Sequence, residues 1–350
     1  MNRSGRAGPS VAKHLRARDN PAALNVQPKD LGIRLPLHLK QMGVSEHCGH
    51  RSGWRHVMDH LRQCQQPAGM LLDDFIERTF QHPGSTQEWH EPWIGIFHHP
   101  RNVPHWYDPS AVPSVIFQKA TFRNSLRHLA GAVTLSTSLG DWLATELAVP
   151  VQVLKHPCEI PDQQFSIERW EQQATKTIVQ VGWYCRNSRA IYQLRVPDNY
   201  KKVHLLQDRP WVHNALQRID DLSPTRHRPL IGDVKVIEPL DNPSYDSLLA
   251  HNLVFCEYLD VSASNTVIEA IARNTPIVVN RHPALEEYLG IDYPLFYEHI
   301  DEVTALLTQP AVIHSAYHYL NALDKSWLSA DIFTRQLMAF VNRVGTGTTT

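Results

Sequence analysis

Short apolar runs, each followed by a polar turn and an amphipathic stretch, recur along this chain. "AGMLLDDFIERTF" is apolar and then helix-like, and "PWIGIFHHP" predicts a buried strand, Trp93 to Phe97, with a polar loop beginning at His98. "SVIFQKATFRNSLRHLA" has a helical period, "GAVTLSTSLGDWLATEL" predicts strand, turn and helix, and "VPVQVLKHP" a further short strand. The alternation pauses at "CEIPDQQFSIERWEQQATK", a polar, proline-interrupted stretch that predicts a linker at 161–175. It then resumes with "TIVQVGWYCRNSRAIYQL", "KKVHLL", "DVKVIEPLDNPSYDSLLA" and "NLVFCEYL", and the C-terminal part reads as helices. Strands alternating with helices build parallel sheet covered on both faces. The expected class is α/β, with two Rossmann-like doubly wound domains, 31–160 and 176–327, facing a cleft. Ligands of such sheets bind beyond the carboxyl ends of the strands, so the cleft is the expected site.

Composition narrows the function classes. The 350 residues suffice for two domains with separate cores, and 34 Lys plus Arg against 35 Asp plus Glu leave no concentrated positive field for nucleic acid. Five cysteines, an odd number without a CxxC pair, read as reduced thiols, which predicts a cytoplasmic protein. No apolar run is long enough to span a membrane, although peripheral membrane contact stays compatible with the sequence. Residues 1–30 are basic, lack the apolar core of a secretion signal and predict a disordered tail. "HCGH" (His47, Cys48, His50) has no second ligand pair at zinc-like spacing, so no metal site is expected there.

The richest chemistry lies in "SASNTVIEAIARNTPIVVN", Ser262 to Asn280. It comes after the strand "VFCEYL" and predicts a helix N-terminus at Ser264, Asn265 and Thr266, with Asn265 as the N-cap. Free amides there favour an anion such as a phosphate. Glu269, one turn further on, cannot bind phosphate but can accept hydrogen bonds from sugar hydroxyls. An N-capped helix whose glutamate merely complements the helix dipole accounts for the same pattern.

"VSASNTVIEAIARNTPIVVNRHPALEEYLG" resembles the donor-site signature of GT-B glycosyltransferases of the retaining group with an E-x7-E motif. Glu269 matches the second glutamate, which in that family holds the nucleotide ribose, and Thr275-Pro276-Ile277-Val278 matches the strand beyond it. Val261 stands where the family has its first glutamate, with Asp260 beside it, and Asn274 stands where the family usually has glycine. "VQVGWYCRNSR" resembles the family's phosphate loop, with Gly182 at the turn and Trp183 in place of the usual arginine. The resemblance implies that Arg186, Arg189 or both neutralise the diphosphate leaving group. It further implies that His98 or His99 meets the transferred sugar, and that Gly49, Gly53 and Trp54 belong to a loop over the diphosphate or acceptor. Ser136 and Ser138 would face the cleft, and the C-terminal helix, about 328–345, would cross back to the first domain.

The expected function is transfer of a sugar, of hexosyl type, from a nucleotide-diphosphate sugar to a glycan, lipid-linked or protein acceptor. No D-x-D triplet occurs, so no cofactor and no metal are expected, and adjacent pairs such as Asp73-Asp74 read as solvated helix faces. The alternatives are a non-catalytic GT-B module that binds a nucleotide or glycan, and a sugar-nucleotide epimerase, which needs a dense set of carboxylates in the cleft.

Overall fold

A computed structural model describes residues 37–39, 53–63, 69–81 and 85–345. The first unit runs β1 (Leu37–Leu39), α1 (Trp54–Arg62), β2 (Met70–Asp73), α2 (Ile76–Phe80), β3 (Trp93–Phe97), α3 (Pro113–Ile116), α4 (Ala120–Ser125), β4 (Leu129–Thr134), α5 (Thr137–Glu146) and β5 (Val151–Val153). The second begins with α6 (Ile167–Glu171), β6 (Lys176–Val181), α7 (Ala190–Gln193), β7 (Tyr200–Leu205) and α8 (Pro210–Leu222). It continues with β8 (Val234–Ile237), α9 (Asn242–His251), β9 (Leu253–Cys256), α10 (Asn265–Arg273), β10 (Ile277–Asn280), α11 (Pro283–Leu289) and β11 (Phe296–Tyr297). Helices α12 (Glu302–Leu307), α13 (Pro310–Ala322) and α14 (Ala330–Gly345) close the chain.

The strands form two parallel sheets, ordered β1-β2-β3-β4-β5 and β11-β10-β9-β6-β7-β8. β3 and β9 are buried along their whole length, which is why "WIGIF" and "LVFC" are continuous apolar runs rather than alternating ones. Helix α14 lies against the first sheet, where Phe333, Leu337, Phe340 and Val341 join Trp54, Leu61, Ile94 and Val133 in one core. Gly131 on β4 admits that crossing: a Cβ there would sit 2.6 Å from the Phe340 ring. None of these described helices is long and apolar enough to cross a membrane.

Three expectations change. The supposed linker 161–175 contains α6, and Phe165, Ile167 and Trp170 are buried in the core of the second sheet. Their spacing was masked by surrounding glutamines and glutamates. The pair Asp73-Asp74 is not a solvated helix face. It ends β2 and is buried, with Asp73 accepting from Thr79 Oγ1 at 2.8 Å and Trp89 Nε1 at 3.0 Å. The helical run after Pro113 breaks into α3 and α4, because the Phe117 ring stacks on Phe122 at 5.0 Å and Lys119 Nζ turns to the Phe80 carbonyl at 2.6 Å.

The units touch on two sides of the cleft. Glu287 on α11 accepts from the Thr137 amide at 2.6 Å and its hydroxyl at 3.0 Å, while Tyr288 donates to the Leu135 carbonyl at 2.6 Å. On the other side Val103, Tyr107 and Val112 pack against Cys185 and Ala215.

Candidate functional site

Both sheets present their carboxyl ends to the cleft, which has two compartments. The larger, about 280 Å³, takes its first wall from the segments just beyond β2 to β5: Phe75, Arg78, His98, His99, Leu135 and His156. Its second wall comes from the loop after β6, Tyr184 to Arg186, and the approach to α10, Val261 to Asn265. The smaller, about 180 Å³, lies wholly in the second unit and is lined by Gly182, Trp183, Tyr245, Thr266 and Glu269 among others. Tyr184, Arg186 and Asn265 border both.

Arg186 is held at that border by two left-handed backbone positions, Gly182 (φ 74°) and Cys185 (φ 57°), the second uncommon for a residue with a side chain. The left-handed φ at Gly182 favours glycine, and a Cβ there would also press on the Arg186 guanidinium at 3.1 Å. The Arg186 guanidinium donates to the Tyr184 carbonyl (3.2 Å), Ser264 Oγ (3.3 Å) and Thr266 Oγ1 (3.1 Å), at the start of α10. Its Nε is buried without a partner, and it forms no ion pair with any described residue. A half-buried guanidinium without a carboxylate partner at a helix N-terminus can receive an anion.

The N-cap of α10 is Ser264, not Asn265, which is the first helical residue. Ser264 does not cap with its side chain, because its hydroxyl is taken by Tyr258 and Arg186. Glu269 is buried and accepts from the Tyr245 hydroxyl while lining the smaller compartment. Asn274, in place of the family's glycine, is the C-cap in the left-handed region at φ 59°, which asparagine tolerates better than most residues. Arg189 does not reach either compartment. It forms a bidentate pair with Asp220 on α8, with Nε to Oδ1 at 2.8 Å. A charged partner within reach on the outer face decides its direction.

His98 is fixed on three sides. Its ring stacks on Phe75 at 3.9 Å and meets Trp54 edge-on at 4.4 Å, and its Nε2 lies 2.9 Å from the Asp74 carbonyl. A carbonyl can only accept, so Nε2 carries the proton and Nδ1 keeps a lone pair. Burial holds the ring's pKa well below the ordinary histidine value, hence neutral. A neutral imidazole lining the larger compartment can accept a hydrogen bond from a hydroxyl. His99 is anchored differently: its Nδ1 sits between the Ala111 carbonyl (2.8 Å) and the Tyr184 hydroxyl (3.0 Å), and burial brings its pKa to about 4. That contact ties the two units together. Trp54 donates to Asp74 Oδ2 at 2.9 Å and lines the cleft. Gly53 precedes it as the N-cap of α1 at an ordinary φ of −62°. Ser136 is buried against Ser262 of the second unit at 3.1 Å, Ser138 is exposed, and Gly49 with the "HCGH" segment lies outside the described residues.

Sequence reasoning missed the support beneath the histidines. Glu77 accepts from the backbone amides of both His98 (2.8 Å) and His99 (2.9 Å) with one oxygen, and its other oxygen is buried without a partner. Complete burial, with Asp73 nearby, pushes its carboxyl up to about 8. Between pH 4.5 and about 8 the folded state therefore holds a proton that the unfolded chain has released. Stability falls as pH rises through that window and levels off above it. Glu77→Gln keeps the acceptor oxygen and removes the titration. Its melting temperature, relative to wild type, should climb from about pH 5 to pH 8; a constant difference across that range would refute the assignment. The available signal was "LLDD", where polar residues sit directly at the carboxyl end of a buried strand.

No protein-family model matches the chain, and no curated protein matches its sequence. Solved structures do match. TarM superposes with a TM-score of 0.52 at 12% identity over 79% of this chain, which spans only 55% of TarM. The sucrose-phosphate synthase of Thermosynechococcus elongatus gives 0.55 at 11% identity, covering 80% of this chain and 74% of that one. HepE of Anabaena, in complex with UDP and glucose, gives 0.52 at 11% identity, covering 72% and 71%. At these identities the likeness is one of fold, and the fold is GT-B.

Proposed function

We propose that this protein is a metal-independent glycosyltransferase that moves a hexosyl group from a nucleotide-diphosphate sugar to an acceptor hydroxyl. The observation that carries the reading is Arg186, a half-buried guanidinium with no carboxylate partner among the described residues, set at the start of α10 between the two compartments. The diphosphate lies against Arg186 and the α10 amides, the ribose reaches Glu269 in the smaller compartment, and the sugar enters the larger one toward His98. A fixed cation stabilises the charge that grows on the departing diphosphate, and it is most effective in a water-poor cleft. The UDP and glucose bound by HepE, a protein of the same fold, support this class of ligand. No described lining residue of the larger compartment is an aspartate or glutamate, which speaks against an epimerase.

The test is a panel of nucleotide-diphosphate sugars with measurement of released nucleoside diphosphate. Slow release from at least one donor is expected. Binding of a nucleoside diphosphate without any release would replace the transferase by a binding module, and interconverted sugars would show an epimerase. Release is expected to persist in excess EDTA, because Arg186 and the helix N-terminus supply the positive charge that a divalent ion supplies elsewhere. Loss in EDTA with recovery on one added divalent ion would overturn that part. Glu269→Ala should weaken nucleoside diphosphate binding by roughly 1.5–3 kcal/mol, the range for hydrogen bonds to a charged group. An unchanged calorimetric affinity would remove Glu269 from the ribose.

A further inference from the structure

Across the larger compartment from Arg186 stands a second cation. Arg78 lies on α2, one turn after Asp74, with its guanidinium carbon 4.2 Å above the Phe75 ring. It is half-buried, and its guanidinium forms no ion pair or hydrogen bond with any described residue. Arg78 acts electrostatically on Asp74, but that carboxyl accepts from Trp54 Nε1 through Oδ2, makes no hydrogen bond to Arg78, and burial favours its neutral form. The described lining of the compartment contains two arginines and three histidines and no acidic side chain. All three histidines have lowered pKa values from burial, so the two guanidiniums carry its charge.

One of these cations is already assigned: Arg186 faces the diphosphate. Arg78 belongs to the other unit and the other wall, and it makes no hydrogen bond to the hydroxyls at the start of α10. The Phe75 ring supports the guanidinium through a cation–π contact that uses none of its N–H donors, which stay available to a ligand. A neutral sugar in this compartment would leave that charge uncompensated once the cleft closes. An oxyanion would compensate it with paired N–H donors.

We infer that the first-unit wall of the cleft is a recognition site for an oxyanion, a phosphoryl or carboxylate group carried by the sugar acceptor, with Arg78 as its counter-charge. This rests on the transferase reading for the word acceptor, but the anion site itself does not. The probes are glucose 6-phosphate, glucuronate and glucose, titrated calorimetrically into the full chain with and without UDP. At least one anionic sugar should bind about ten- to a hundred-fold more tightly than glucose. Arg78→Gln should reduce it to the level of glucose, and Arg78→Lys should restore part of the preference, with melting temperatures reporting an intact fold. Preference for the phosphate alone identifies a phosphoryl group, and for glucuronate alone a carboxylate. The inference is overturned if the anionic sugars bind no better than glucose, if none binds, or if the preference survives Arg78→Gln. Failure of every donor in the hydrolysis panel would instead tell against the transferase, leaving an Arg78-dependent preference without nucleotide in place.

Discussion

Arg186→Gln is expected to lower turnover by about a thousand-fold, the upper range for removing one electrostatic donor at a developing oxyanion. The loss should fall mainly on kcat, because the bridging oxygen gains charge as the glycosidic bond breaks, and only part of the interaction exists in the ground state. Glutamine keeps a polar side chain but is shorter, so it gives up the contacts of the Arg186 Nη2 to Ser264 and Thr266 along with the charge that no described carboxylate balances. The fold should tolerate the change, since a half-buried cation without a counter-charge is a liability to stability rather than a support. Arg189→Ala makes the internal comparison: that guanidinium is paired with Asp220 on the outer face, and turnover should stay within about two-fold, as for exposed pairs generally. Equal, small effects of both substitutions would mean that the diphosphate is neutralised elsewhere. Equal, large effects would mean that Arg189 swings into the cleft on binding.

The largest stability effect is expected at the other end of α10. Arg273 is wholly buried and paired with the buried Asp246 on α9, and it donates to the Glu269 carbonyl at 3.2 Å. Arg273→Ala removes the charge partner of a carboxylate buried beside the core of the second sheet, a loss of roughly 3–5 kcal/mol. Replacing both partners by apolar residues, Arg273→Met with Asp246→Leu, should recover most of that loss, because the cost lies in keeping one buried charge after its opposite has gone. Denaturant unfolding with a probe in the second unit would measure it. A single-variant loss below about 1 kcal/mol, or a double variant no better than the single, would show that Asp246 is compensated by another group. The pair also registers α9 against α10, and so holds Tyr245 against Glu269. Weakened nucleotide affinity in Arg273→Ala is the expected functional echo.

Much of this was legible along the chain. "WIGIF" and "LVFC" are apolar over whole strands because both faces are covered, and their alternation with helices is enough to specify parallel sheets with a cleft at their carboxyl ends. The α10 segment was placed by the same means: a turn of small polar residues, an apolar helical period and a proline before the next strand. Glu269 stood out because it interrupts that period, and the structure brings it to the smaller compartment.

What the sequence could not decide was direction and partnership. Arg186 and Arg189 are three residues apart in one loop and look equivalent there. Only Asp220 on α8, brought alongside by the fold, draws one outward, while the left-handed turn at Cys185 sends the other into the cleft. Arg78 reads as an ordinary helix-surface arginine until the carboxyl ends of four strands surround it with a compartment that has no described acid in its lining. Glu77 likewise becomes the clasp of the His98–His99 loop only when β2 and β3 lie side by side. Periodicity is a local property, fixed by which face of a helix or strand must leave water, and a short window contains it. The charge balance of a buried group is set by residues distant in sequence, and only the packed chain determines which of them arrive.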